Sequence, residues 1–247
     1  IIKGDTPGDK DEAQRRLDLH GYYKDSNGDA VYSDNPNMCG GRSVENYCTD
    51  VLVNDIAPAE AYSNAINQLQ SYQGASWKDA DADKRAIEHK TNPRYTNEGK
   101  AAKADAHHSE FELVCGNALD GLREATAGAN RVVGQAKLVG KLDDCQLGYL
   151  GYSDYQDGGV ELKTKWDRKA DTDKPSANSL PSSIQFSHLT QIAGYWHMSG
   201  IWPKIVYANR LGYKVFEPTL DQLHAGLAAI TEACKRRERL LRAAETT

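Results

Sequence analysis

Three short fragments of this 247-residue sequence carry side chains that can do chemistry together. The first, Val139-Gly140-Lys141-Leu142-Asp143, places a carboxylate at the end of a strand-like run, where the chain bends. The second, Glu161-Leu162-Lys163, lies inside the alternating stretch GGVELKTKWD. Side chains two apart on a strand share a face, so Glu161, Lys163 and Lys165 form one stripe of an acid and two bases. The third, Gln191-Ile192-Ala193-Gly194-Tyr195, has helical spacing, and residues four apart on a helix point together. If the two strands are neighbours, Asp143 and Glu161 converge. Two hard oxygen ligands, completed by waters and a substrate phosphate, suit Mg²⁺ or Mn²⁺. Such an ion stabilises charge on a transferring phosphate and acidifies a bound water. Lys163, on the same face, would position and deprotonate that water or stabilise the pentavalent phosphate. The stripe is then expected to face a cleft rather than the core.

Elements must hold these fragments in place. Residues 1–45, rich in Gly, Asp, Asn and Tyr, read as loops with a short helix near 12–19. A helix is expected over 58–72, with Pro58 at its start and an apolar stripe of Ala61, Ala65, Ile66 and Leu69. Residues 73–97 read as loop with a short helix near 81–89. Two helices are expected at 97–114 and 117–127, the second ended by Gly128. From 131 to 153 the pattern changes to strands, followed by a turn at SDYQDGG and the strand that opens at Val160. After a polar loop over 167–183, residues 186–199 read as a helix with Ser187 as N-cap and Gly200 as stop. Two strands around Leu211-Gly212 come next. Thr219 and Gln222 make a capping box that opens a long amphipathic helix to about residue 244. The order implies an α/β or α+β fold, a central mixed β-sheet flanked by helices. Residues 1–96 are expected to form a loop-rich, helical region packing on a core of residues 97–247.

The bulk numbers set bounds. Hydrophobic residues are 39% and charged residues 26%, as in a folded globular chain. No apolar run reaches the roughly 18 residues of a membrane span. The chain opens IIKGDTPGDK, with neither Met nor a signal-peptide pattern, and its native start is expected to lie upstream. Five cysteines, Cys39, Cys48, Cys115, Cys145 and Cys234, include no CxxC pair. An odd count in a chain of this length argues against a disulfide framework, and the missing pair argues against structural zinc; a reducing cytoplasm is expected, a host's if the source is viral. Net charge is −5 but uneven. Residues 1–130 hold 14 of the 30 Lys and Arg and 22 of the 35 Asp and Glu, a balance of −8, which leaves +3 for residues 131–247. A polyanion would meet the second half.

Taken in order, GxxD, ExK on a strand and QxxxY on the next helix resemble the PD-(D/E)XK nuclease superfamily, near the RecB-like branch that includes phage and mitochondrial exonucleases. The match covers about residues 97–216. The resemblance implies a PD-(D/E)XK core in which one or two Mg²⁺ or Mn²⁺ ions bind Asp143 and Glu161, with the Leu162 carbonyl as a third ligand and Lys163 as the catalytic base or charge. Gln191 and Tyr195 would orient the site or contact DNA. A further histidine ligand from an upstream helix falls on His108 in His108-Ser109-Glu110-Phe111-Glu112, or on its neighbour His107. Only Cys234 lies late in the chain, so the iron–sulfur cluster of some members is expected to be absent. The activity implied is a DNA exonuclease of the phage recombination or DNA-degradation type, acting on linear duplex or single-stranded ends, with a single-strand annealing or recombination protein as a further partner. A structure-specific or restriction-type endonuclease, and a non-catalytic DNA-binding protein on the same core, are the alternatives.

Blander readings compete at each position. Asp143 and Asp144 could cap a turn. Glu161 and Lys163 could be a cross-strand charge stripe, and Tyr195 a core ring. His107 and His108 could be exposed helix residues. The basic run KRRERLLR at 235–242 reads as a solvated helix face that could also touch phosphates. Arg168 and Lys169, just after the ExK strand, fall in a loop read as a DNA-contacting flap, with Lys165 as a further DNA contact.

Overall fold

Strand alternation and helical spacing resolve into an α+β arrangement in the computed structural model, which describes residues 22–24, 30–32, 36–77, 97–146, 148–166 and 179–245, with side chains over 37–69, 109–146, 148–166 and 179–239. Five helices are described: α1 (Pro36–Leu52), α2 (Pro58–Trp77), α3 (Asn97–Ala125), α4 (Phe186–Ser199) and α5 (Leu220–Glu245). The strands are β1 (Tyr22–Lys24), β2 (Ala30–Tyr32), β3 (Ala136–Lys141), β4 (Gly148–Ser153), β5 (Val160–Thr164), β6 (Lys204–Asn209) and β7 (Gly212–Phe216). Among the described residues no helix is long and apolar enough to cross a membrane.

The expected single mixed sheet is divided. β5 and β6 run parallel in the register Glu161↔Ile205 and Lys163↔Tyr207, and β7 pairs antiparallel to β6. β3 and β4 form a separate antiparallel hairpin, joined to β5 by the isolated bridge Tyr155↔Val160. The division has a local cause. Gln156, Asp157 and Gly158 take positive φ values of 55°, 53° and 104° in succession. Three left-handed residues in a row turn the chain sharply, so β4 does not continue alongside β5.

α3 lies across β6, β7 and β5. Its Phe111, Val114, Ala118 and Leu122 join Val44 and Cys48 of α1, Leu69 of α2, and Val160, Leu162 and Val206 of the sheet in one apolar cluster. Packing overrides propensity twice here. The two helices expected at 97–127 are one, because its inner stripe is buried while the position of Gly116 faces open space, so a cost of about 1 kcal/mol for a helical glycine is outweighed. Residues 36–45, expected as loop, belong to α1. Gly40 and Gly41 weaken the helical signal yet let the helix seat on β5: a Cβ at Gly40 would lie 2.6 Å from the buried Trp166 ring. The short helices expected at 12–19 and 81–89 lie outside the described residues.

The C-terminal half follows its sequence signals more closely. α4 spans the residues expected and ends on Gly200 at φ 71°, although Gln185, not Ser187, is its N-cap. At the start of α5, Thr219 Oγ1 accepts from the Gln222 N–H at 3.2 Å, and Gln222 Oε1 accepts from the Thr219 N–H at 2.9 Å, closing the capping box.

Candidate active site

β5 is paired on one side only along the stretch that matters. With β6 on its other flank, the Leu162 N–H has no strand partner and donates instead to Asp154 Oδ2 at 2.8 Å. Asp154 follows β4 directly, at the point where the chain turns. The strand's alternation sends Val160 and Leu162 into the apolar cluster and Glu161 and Lys163 to the opposite face. Glu161 is only 2% exposed. Its Oε1 accepts from Lys163 Nζ at 2.5 Å and from Gln191 Nε2 at 2.7 Å. Its Oε2 is buried and, among the described residues, without a hydrogen-bond partner.

α4 supplies the next layer of support. Gln191 Nε2 also donates to Tyr195 Oη at 2.7 Å, and Tyr195 donates to the Tyr152 carbonyl at 2.7 Å. The QxxxY pair thus ties the carboxylate of β5 to the backbone of β4, two residues before Asp154. Gly151 makes room for this link: a Cβ there would meet the Tyr195 ring at 2.4 Å. Gly151→Ala is therefore expected to cost about 1–3 kcal/mol, the usual cost of overpacking, as a lower urea midpoint at unchanged slope.

A cleft of about 290 Å³ opens beside these groups, lined by Met38, Gly41, Glu45, Asp154, Leu162, Lys163 and Thr164. Glu45 arrives from α1, which the two glycines hold close to β5. Three carboxylates therefore share the neighbourhood of one ammonium. Burial first, then the Glu161 charge, raises the pKa of Glu45 and pushes that of Asp154 well above its ordinary value. Burial likewise raises Glu161, against the opposing pull of Lys163. For Lys163, burial works against the charge, but Glu161 and then Asp154 outweigh it, so the ammonium holds its proton more firmly than a free lysine.

The sequence fragments come together in part. Glu161, Lys163, Gln191 and Tyr195 meet as expected, and Leu162 lines the cleft. Asp143 does not join them. It lies in the turn after β3, its side chain 85% exposed and 4.0 Å from His197 Nε2. The Cys145 N–H closes that turn onto the Leu142 carbonyl, Asp144 takes φ 58°, and Lys235 of α5 pairs with Asp144 at 3.2 Å. The two aspartates shape a turn at the far end of the hairpin, beside a separate hollow against α5. Asp154 occupies the place expected of Asp143. It too ends a GxxD run, Gly151-Tyr152-Ser153-Asp154, and that pattern was a usable signal; Glu45 had none. Lys165 donates to Gln185 Oε1 at 3.0 Å on the same flank as Lys163. The side chains of His107 and His108, together with Arg168 and Lys169, lie outside the described residues.

The donor set fits a hard divalent cation. Among the described residues no group of three or more His, Cys, Asp or Glu is spaced as a ready metal cage. Mg²⁺, however, is usually held by one or two carboxylates with waters and substrate oxygens. The unpartnered Glu161 Oε2 beside Asp154 offers that kind of site. A pH signature follows. Acids whose folded pKa is raised bind more protons native than unfolded, so their contribution to stability falls as pH climbs from about the ordinary 4.5 of a glutamate through the raised folded values. His188, lowered to about 4 by burial and by Lys163 and Lys165, works in the opposite direction, but only up to its ordinary 6.5. Above pH 6.5, melting in EDTA is expected to fall with rising pH, and Mn²⁺ is expected to restore several degrees, with a gain that grows with pH. Differential scanning fluorimetry across pH reads both trends. No protein-family model, curated protein or solved structure matches the chain.

Proposed function

We propose that this protein is a metal-dependent deoxyribonuclease with a PD-(D/E)XK-type core, acting as an exonuclease on linear DNA. The observation that carries the reading is the meeting of the buried Glu161 with Lys163, which lines one cleft together with Asp154, braced by Gln191 and Tyr195. Asp154 and the free oxygen of Glu161 are the metal ligands in this reading, with Glu45 near enough to hold a coordinated water. Bound Mg²⁺ or Mn²⁺ would neutralise charge on the scissile phosphate and acidify a water for in-line attack.

The chain's own groups have separable parts. Gln191 fixes the rotamer of Glu161 by donating to Oε1, which leaves the buried Oε2 as the oxygen open to a metal in this reading. Lys163, its pKa raised, keeps its proton, so it serves as donor and charge for the phosphate oxygen or the attacking water rather than as a base. Tyr195, held neutral by burial and then by the Glu161 charge, anchors α4 to β4.

The test is incubation of the full chain with linear duplex, single-stranded and covalently closed DNA, in Mg²⁺, in Mn²⁺ and in EDTA. Loss of linear DNA from its ends in either metal, with closed circles and EDTA samples intact, is the expected result. If every DNA form survives in both metals, the reading fails.

A further inference from the structure

Tyr207 is fully buried on β6, in register beside Lys163. A buried phenol needs partners for its proton and its lone pairs. Its oxygen accepts from the Gln185 N–H at 3.2 Å and lies 2.8 Å from His188 Nδ1. The Gln185 N–H occupies one lone pair, and among the described contacts Nδ1 is the acceptor within reach of the phenolic proton, so the hydrogen bond is assigned from Tyr207 Oη to Nδ1. The ring proton of His188 then sits on Nε2. Burial, then the charges of Lys163 and Lys165, lowers the imidazole's pKa to about 4, so the ring is neutral at physiological pH.

The surroundings suit an anion. Lys165 Nζ stands 5.9 Å over the Tyr207 ring and donates to Gln185 Oε1. His188 is half-buried and three residues before Gln191, so it stands one turn along the same face of α4 from the amide that holds Glu161. A purely structural histidine gains nothing from two neighbouring ammonium groups; a fixed N–H near them adds direction to a site that otherwise offers only charge.

We infer that His188 is a substrate-contact residue: locked by Tyr207 with its proton on Nε2, it donates a hydrogen bond to a phosphate oxygen flanking the reacting one, and Lys165 supplies the charge beside it. This rests on the nuclease reading above. A neutral donor displaces no counterion, whereas a lysine contact does, and the two are therefore separable by salt.

The experiment is fluorescence anisotropy of the full chain with a labelled linear duplex in EDTA, at salt between about 50 and 200 mM. His188→Ala is expected to weaken binding about tenfold with the salt slope unchanged, and His188→Gln, which keeps an N–H donor, to stay within about threefold of wild type. Tyr207→Phe, which frees the ring to turn, should fall between them. Lys165→Gln should weaken binding and lower the salt slope by about one. Wild-type affinity in His188→Ala, or a slope that drops by one, overturns the inference. So does a variant that melts early yet binds normally, since the histidine would then be structural. If the wild type neither binds nor cleaves DNA, the nuclease reading itself has failed; if it does both while His188→Ala binds unchanged, only this inference has.

Discussion

Asp154→Asn is expected to abolish metal-dependent DNA cleavage, by about three orders of magnitude, while Asp143→Asn stays within about twofold of wild type. The asymmetry follows from placement. Asp154 stands against β5 and bonds the Leu162 N–H, next to the free oxygen of Glu161. Asp143 is solvent-exposed at the other end of the hairpin. Asparagine keeps an oxygen for the Leu162 N–H, so the turn survives the change. It also removes one of three crowded carboxylates. In EDTA above pH 6.5 the variant should therefore melt no lower than wild type, and by the relief of repulsion somewhat higher. Loss of activity with stability kept or gained marks a group held for chemistry at a cost to the fold. Steady-state cleavage of linear duplex and a melt on the same samples measure both arms.

Lys163→Ala has the second large effect, with the opposite sign on stability. Removing the ammonium takes away a preorganised charge beside the reacting phosphate, and a loss of about 10²–10³ in turnover is expected. It also leaves Glu161 without its cationic partner and exposes Asp154 and Glu45 to its unscreened charge. Stability in EDTA at pH 8 should fall by about 2–4 kcal/mol, the scale for stranding a buried ionised partner. The loss should shrink as Mn²⁺ is added, because a bound cation takes over the neutralisation. Lys163→Arg is not expected to rescue turnover, since a planar fork does not fit where a compact ammonium sits 2.5 Å from one carboxylate oxygen. Urea titrations with and without Mn²⁺, run beside the cleavage assay, separate the two effects.

Local chemistry was legible where a short-range rule decides the outcome. The Thr219–Gln222 capping box, the Gly200 stop of α4 and the Gln191–Tyr195 pair each depend on residues within a few positions and took their expected form, and Glu161 and Lys163 share a strand face as expected, although Glu161 is buried rather than open to the cleft. What stayed hidden depends on partners far along the chain. Two GxxD runs, Gly140–Asp143 and Gly151–Asp154, sit at opposite ends of one hairpin, and spacing alone did not choose between them. The choice is made by three left-handed residues after β4 that swing Asp154 against β5, in a stretch that reads from sequence as an ordinary turn. α1 was missed because Gly40 and Gly41 look like breakers until Trp166 is seen to need the space, and Glu45 was missed with it.

The central claim is that Asp154 and Glu161 share a divalent cation. The most direct measurement is a crystal soaked in Mn²⁺ and read by anomalous scattering. The account predicts a peak in the cleft at about 2.0–2.3 Å from an Asp154 oxygen and from Glu161 Oε2. A peak at the Asp143–Asp144 turn, or a cleft without one at a concentration that supports cleavage, would contradict it.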